Sequence, residues 1–568
     1  MASNPRFQAS LISKLFFWWL NPIFEKGFKN NLTEDDLYDI SNDESSKYLG
    51  DKLERIWSEQ VKNCKQTKAK PKLYKSLIST FGKSFVLYGF LLCFEEAVVI
   101  LQPLLLSGLI RYFTKDAPFV SEIEGYMYTG GIGLCALILA FTHHIYYLGV
   151  QTIGVKMKIA CSSLIYRQTL RLSIDGRRET TTGQIIDLLS NDVSNFTQLM
   201  TMLHFLWIGP LEIIVVLIIL WIEIGPPAVA GFVVMFLMVP VVHLMGGLIT
   251  KYEKFSVKHR DNRISSITEI IRAIKEVKLY CWEKLFGDEL REERRREVKE
   301  QKKVLIVHFV QDILTFVSKF FYILPVIIWM MYTSIDLRAS SVFLVLRIYD
   351  HAGLIVGRRM FRAYTLLVKT RDVNLQRIQT FLLLDKRKER TYTDPENKSF
   401  VDIDIKRAHW EDNENTTLRN ISAKVEQGKV LTIVGPVGCG KSSLLMAILN
   451  ELELKEGKID VHGRMAYASQ HPWLFSGTLK QNITFEKTVD NDKYQKILHA
   501  CALDEFKDFQ KMDDKDATLI GDRGVNLSGG QKSRVNLARA LYCDADIYLL
   551  DDPLSAVDSE TGQHIYKQ

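Results

Sequence analysis

The run Gly435-Pro436-Val437-Gly438-Cys439-Gly440-Lys441-Ser442-Ser443 has the residue types and spacing of a phosphate-binding loop, G-x-x-x-x-G-K-S. Glycines at 435, 438 and 440 let the backbone turn tightly and aim its N–H groups at phosphate oxygens. Lys441 then reaches terminal phosphates, and the Ser442 hydroxyl is offered to a magnesium ion. The apolar run at 430–434 predicts a strand entering the loop. The apolar run after it predicts a helix whose N-terminus favours anions. Far downstream, Ile547-Tyr548-Leu549-Leu550 runs into Asp551 and Asp552. An apolar strand ending in an acidic pair suits metal coordination by Asp551 and activation of an attacking water by Asp552. An ordinary buried strand followed by an acidic loop would look the same. The phosphate loop upstream is what favours nucleotide chemistry.

Between the two lies Asn526-Leu527-Ser528-Gly529-Gly530-Gln531, which opens an amphipathic helix. Ser528 fits a simple helix cap. The alternative is a second anion-binding helix start. One phosphate loop already serves this domain, so a second anion site suggests a nucleotide held by a neighbouring copy.

These residues need a scaffold, and the chain of 568 residues is too long for one domain. Residues 85–370 hold long apolar runs, whereas both ends are polar and charged. A helix crosses a bilayer in about 20 mostly apolar residues. Candidate spans lie near 85–112, 128–152, 203–224, 228–250, 306–332 and 340–368, which makes six. The loop after the first, TKDAPFVSEIEG, is net acidic, and the stretches at 153–200 and 251–303 are rich in Lys and Arg. The positive-inside rule then makes those long stretches, and both termini, cytoplasmic. Both read as helical continuations of the spans. The sixth span carries Arg347, Asp350, Arg358, Arg359 and Arg362. Ionisable groups at membrane depth are costly and face water or a partner. The arginines either line an anion pathway or snorkel to the interface. Glu95 and Glu96 in the first span either meet substrate or pair with one of those arginines. The eight cysteines show no paired metal spacing and read as free thiols in a reducing compartment. No secretory signal opens the chain.

Residues 527–531 (LSGGQ), the loop at 435–442 and 549–558 (LLDDPLSAVD) together resemble the signature set of ATP-binding-cassette (ABC) transporters. Residues 15–24 (LFFWWLNPIF) and 180–193 (TTTGQIIDLLSNDV) are similar to the C subfamily, the multidrug-resistance-associated proteins. The resemblance runs over essentially the whole chain. It implies a multidomain membrane protein: a six-helix all-α exporter-type transmembrane domain plus an α/β P-loop nucleotide-binding domain. The boundaries expected are 1–84 for an N-terminal cytoplasmic lasso and elbow segment, 85–370 for the transmembrane domain, 371–399 for a linker and 400–568 for a nucleotide-binding domain cut short at its C-terminal end.

The resemblance implies ATP and Mg2+ as cofactors, with Ser442, Gln470 and Asp551 as metal contacts. It assigns Asp552, Gln470 and Lys441 to catalysis and Trp410 to stacking on adenine. The nucleotide contacts are Gly435 to Ser443. Ser528, Gly529, Gly530 and Gln531 would complete a site on a second nucleotide domain. Residues 183–192 and 279–286 look like coupling helices. Competent family sites carry Glu where this chain has Asp552, one methylene shorter, so poor turnover is expected here. The family also continues with a switch histidine and a second half, which leads us to expect a fragment of a longer protein. The cargo implied is amphipathic organic anions: conjugates, cyclic nucleotides, prostanoids and drugs. Glu95, Trp207, Phe320, Phe321, Trp329 and Arg347 are candidate cargo contacts by depth and chemistry. The expected partners are the bilayer, such anions and the second half, with no nucleic acid; the expected location is the plasma membrane. The alternatives are an ATP-gated anion channel, a nucleotide-sensing regulatory subunit and an inactive truncated product.

Overall fold

A computed structural model describes residues 4–6, 8–114, 121–173, 176–177, 179–333, 338–384, 400–410, 417–485, 489–503, 517–521 and 527–568. Most of the acidic loop after the first expected span (115–120), and the part of the expected linker at 385–399, lie outside the described residues. The chain divides into two units, one of residues 1–169 and 182–383 and one of residues 170–181 and 384–568.

The first unit is built from long helices. Helix α1 (Ser46–Thr67) is capped by the Ser45 hydroxyl, which accepts from the Tyr48 N–H. It buries Leu49, Leu53 and Trp57, a stripe at helical spacing. Then follow α2 (Leu73–Thr114), α3 (Glu122–Arg171), α4 (Phe205–Ile224), α5 (Pro227–Arg272), α6 (Glu283–Tyr332) and α7 (Ala339–Leu354). Among the described residues, four helical stretches are long and apolar enough to cross a membrane: Leu73–Thr114, Glu122–Arg171, Thr182–Ile224 and Ala339–Leu382. Two shorter apolar stretches, Pro227–Met238 and Phe320–Tyr332, sit inside helices that are continuous for 46 and 50 residues. The basic stretches at 251–272 and 283–303 are helical continuations of these apolar parts, as their composition suggested.

The core of this unit is a layer of Val216, Leu220, Phe232, Tyr322, Val326, Leu344 and Ile348, drawn from α4, α5, α6 and α7. The phenol of Tyr349 in α7 donates to the Ala228 carbonyl of α5. Below the apolar parts, α5 and α6 are joined by charge. Glu297 of α6 is 1% exposed and receives Arg263 at 2.8 Å and Arg260 at 3.3 Å from α5, with Arg294 of its own helix at 2.9 Å. The chain after α7 is not a plain α-helix. Wide π-type turns at Ile355–Met360 and Thr370–Asn374 bracket α8 (Phe361–Lys369). Such i→i+5 turns are rare and concentrate at functional places.

Gly154 marks a backbone-to-backbone crossing. A Cβ there would stand 2.6 Å from the Thr197 Cα of helix Asn195–Leu203, which no rotamer change relieves. Gly154→Leu is therefore expected to force the helices apart, at a cost of about 1–3 kcal/mol. Thermal unfolding in detergent checks this, and an unchanged midpoint would contradict the close crossing.

The second unit carries two sheets that matter for the site. Strand β1 (Phe400–His409) lies between β2 (Leu418–Glu426) and β3 (Glu453–His462), both antiparallel to it. Its alternate residues Val401, Ile403 and Ile405 are buried, the period-2 pattern of a half-buried strand. They share a core with Leu444, Leu445 and Ile448 of α9 (Lys441–Ile448). The second sheet pairs β4 (Met465–Ala468) in parallel with β5 (Ile547–Leu550), Ala468 opposite Leu550. Helix α10 (Gly529–Tyr542) packs against β4.

One expected element is corrected here. Residues 430–434 are not a strand. They belong to neither sheet, and Val430 and Val434 are 91% and 87% exposed. An apolar, β-branched run marks a strand only where a ladder partner is present, and among the described residues this one has none.

Candidate functional site

After β2 ends at Glu426 the chain runs through 427–434 into the phosphate loop, which closes onto α9. Gly438 and Gly440 adopt φ of +87° and +97°, the left-handed region that side chains disfavour. Gly440 is the N-cap of α9 and has no side chain to satisfy the first N–H groups, so these stay open to an anion. The Lys441 ammonium folds back over the loop and donates to the Gly435 carbonyl at 2.9 Å and the Pro436 carbonyl at 3.0 Å. Its Nζ also lies 3.9 Å from the Cys439 sulfur.

The next residue joins the loop to the acidic strand. The Ser442 hydroxyl donates to Asp551 Oδ1 at 3.0 Å, a contact made across 109 positions. Asp551 is 8% exposed and caps the parallel pair, its N–H donating to the Ala468 carbonyl. The Tyr467 phenol reaches Asp551 Oδ2 at 3.4 Å. Burial and the neighbouring Asp551 charge push the Tyr467 phenol up to about 12, so it stays a donor. The paired oxygens of Ser442 and Asp551 form a hard donor set that fits magnesium. Gln470 leaves the same end of β4, is exposed, and so belongs to the same edge of the sheet as the acidic pair. Ligands of open α/β sheets collect at this carboxyl edge. Asp552 is exposed at φ +49°, its carbonyl accepting from the Ser555 N–H and hydroxyl.

Trp410 comes to the loop from the end of β1. Its indole N–H donates to the Ser443 hydroxyl at 3.1 Å. Ser528 and Gln531 cap α10 reciprocally: the Gln531 N–H donates to the Ser528 hydroxyl, and the Ser528 N–H donates to Gln531 Oε1 at 2.7 Å. A Cβ on Gly530 would press on the Ala556 carbonyl at 2.8 Å, whereas one on Gly529 would meet nothing. Tyr467 and Arg539 are contributors that the sequence reading missed. Arg539 donates to the carbonyls of Asn482 and Trp473, both at 2.7 Å, which ties α10 to the segment after Gln470.

In the helical unit a different set of polar groups converges. The Glu96 carboxylate receives Arg359 at 2.7 Å, and His143 Nδ1 lies 2.7 Å from Glu95. Glu96 thus pairs with an arginine of the sixth span, one of its two sequence readings, whereas the partner of Glu95 is a histidine and not one of those arginines. His351 hydrogen-bonds to Glu212, and the Arg359 guanidinium lies 4.8 Å from the centre of the Phe205 ring. Beside them is a cavity of about 240 Å³ lined by Glu95, Glu96, His143, Tyr147, His351 and Arg359, among others. Of the candidate cargo contacts only Glu95 lines it. Arg347 is paired with Asp350 at 3.7 Å and 69% exposed. Trp207, Phe320, Phe321 and Trp329 are exposed and do not line the cavity. Glu212, His351 and Arg359 were not singled out as a set. The only sequence signal for Glu212 is that it is the one charged residue in the first four turns of an otherwise apolar α4.

Residues 85–349 match the ABC transporter transmembrane region, and residues 418–555 match the ABC transporter family. The chain belongs to the ABC transporters, as a multi-pass membrane chain with an ATP-binding domain. Within that class it is similar to the C subfamily, the multidrug-resistance-associated type. It is 41% identical over 573 residues to ATP-binding cassette sub-family C member 4 of Mus musculus, and equally to that of Homo sapiens. It is 33% identical over 597 residues to sub-family C member 3 of Homo sapiens. These alignments cover 99% of this chain but 43% of each member 4 protein and 38% of member 3, so the chain spans less than half the length of the curated relatives it matches.

Proposed function

We propose that this chain is the first half of an exporter that uses ATP to move amphipathic organic anions across the plasma membrane. The observation that carries it is the Ser442–Asp551 contact, which brings the hydroxyl of the phosphate loop and the strand-end carboxylate to one point beside Lys441. In this reading the backbone N–H groups of 435–443 cradle the phosphates, Lys441 reaches the terminal ones, and Trp410 stacks on the base. Ser442, Gln470 and Asp551 hold Mg2+, which neutralises phosphate charge when bound. Asp552 orients and deprotonates the attacking water, poorly, because its carboxylate is one methylene short. Ser528 to Gln531 complete the site of a second nucleotide domain. Six spans with both termini cytoplasmic complete the membrane half, four directly supported by length and composition and two by the apolar ends of α5 and α6. Residues 279–286 suit a coupling role: Leu279, Tyr280, Trp282 and Leu285 form an exposed apolar turn, a surface that wants a partner. For the other coupling segment, the stretch that groups with the nucleotide unit is 170–181, just before 183–192, and its Arg177 lies 3.5 Å from Glu451.

Uptake of a labelled conjugate into inside-out vesicles carrying the full-length protein tests this reading. Accumulation against a gradient that requires ATP is the expected result, and passive equilibration alone would overturn it. Asp552→Glu should raise ATP turnover at this site roughly tenfold, about 1.4 kcal/mol of barrier. Steady-state hydrolysis by the same protein checks this; flat turnover would mean that the missing methylene is not limiting. Asp tolerates a positive φ better than Glu, so the variant should also melt slightly earlier.

A further inference from the structure

We propose that Glu96, Glu212 and His351 form a site for one divalent transition-metal ion of the zinc type, set between α2, α4 and α7. Their ligating atoms all lie within 4.8 Å of one another. The set is one imidazole and two carboxylates, both donor types that zinc accepts. An acidic cluster alone would carry no such conclusion. Here Glu96 and Glu212 are 4% and 3% exposed, and each keeps one buried oxygen, Oε2, without a hydrogen bond. His351 Nε2 is hydrogen-bonded to Glu212 and lies 3.5 Å from Glu96 Oε2, so its single N–H is already committed. Buried carboxylate oxygens that accept nothing are costly and call for a positive ligand.

Charge points the same way. The ionisable groups that face this place from the four helices and the wide turn packed around it are Glu95, Glu96, Glu212, His143, Tyr147, His351 and Arg359. Three carboxyl groups face one guanidinium there, so the place is rich in acid. A divalent cation suits such a place. The metal takes the Nε2 lone pair of neutral His351 in its other tautomer: the ring proton leaves Nε2 and one returns to Nδ1, so no net proton is released. The surroundings supply outer support. Arg359 holds the other oxygen of Glu96 at 2.7 Å, which orients Oε2 towards its neighbours. The adjoining cavity of about 240 Å³ has room for water as a further ligand. An organic anion is the wrong occupant for a net acidic place, so this site is separate from any anion pathway.

The test uses the full-length protein, tag-free, in detergent. Equilibrium dialysis against Zn2+, followed by elemental analysis, should find one more bound equivalent in the native protein than in Glu212→Gln or His351→Gln. Affinity at that site should fall at least tenfold in each. Co2+ in place of Zn2+ should give the strong visible bands of a four-coordinate site, lost in both variants. Zn2+ should raise the melting temperature of the native protein and leave that of His351→Gln unmoved. Asp350→Asn, one residue away but outside the set, should keep the extra equivalent. Equal metal content in native protein and variants overturns the proposal, and so does a native protein that binds no Co2+. If Glu212→Gln does not fold, His351→Gln and the cobalt spectrum of the native protein decide alone.

Discussion

Lys441→Ala should weaken ATP binding at the phosphate loop about a hundredfold. The ammonium is the only cation placed over the loop among the described contacts, and it now bonds to the loop's own Gly435 and Pro436 carbonyls. Those are neutral partners that a phosphate can replace. Removing one member of a close charge pair costs about 3 kcal/mol, which is roughly two decades in affinity. Because the loop conformation rests on Gly438 and Gly440 rather than on the lysine, the variant should fold normally. Titration with a fluorescent ATP analogue reads the change, and Lys441→Arg should recover part of it. Unchanged affinity in the folded Ala variant would remove the loop from the mechanism. On the proposed exporter reading, ATP-driven vesicle uptake should fall with it, a second nucleotide site leaving some residual activity.

The other large effect is expected at Glu297, outside the membrane-spanning parts of α5 and α6. Burial disfavours its charge, but hydrogen bonds from Arg294, Arg263 and Arg260 outweigh this and hold the carboxyl near 2, against an ordinary 4.5. Glu297→Ala leaves three guanidinium groups facing one another with nothing between. Loss of a buried partner costs about 3–5 kcal/mol. Arg260 and Arg294 are about half exposed, so water screens part of the repulsion and about 2 kcal/mol is the better figure. The melting temperature in detergent should drop by several degrees. The pH sign follows from the lowered carboxyl: its stabilisation is complete above about 4.5 and is lost as pH falls towards 2. The variant should therefore lose less stability on acidification than the native protein. Parallel losses would place the acid sensitivity elsewhere.

How much of this was legible follows from what each residue is needed for. The phosphate loop demands backbone conformations that only glycine takes easily, so its positions are written in residue types. Asp551 was legible because a parallel strand must end somewhere, and an acid at its carboxyl edge has few structural uses. The helical spans were legible from apolar length. The strand at 430–434 was misread, because hydrophobic pattern reports a willingness to pair and not the presence of a partner. The Glu96–Glu212–His351 group was not legible at all: its members are 116 and 139 positions apart, on three helices whose mutual rotation no local periodicity records. Glu95 and Glu96 could be flagged as costly at membrane depth, but their choice of Arg359 and His143 depends on which faces meet.

The two wide turns at Ile355–Met360 and Thr370–Asn374 each hold one residue more than an α-helix needs. They act as dislocations in the hydrogen-bond lattice of the last segment before the nucleotide unit. A dislocation can glide: moving the extra residue along the chain exchanges one set of backbone bonds for another, with no turn left unbonded. Each residue so transferred re-aims the stretch it crosses by about 100°. Arg359 lies inside the first wide turn, so a glide of one position across it sets a neighbour, Arg358 or Met360, where Arg359 now faces Glu96. The segment is thus geared like a screw with slack at both ends, able to change the charge it presents without sliding along its axis.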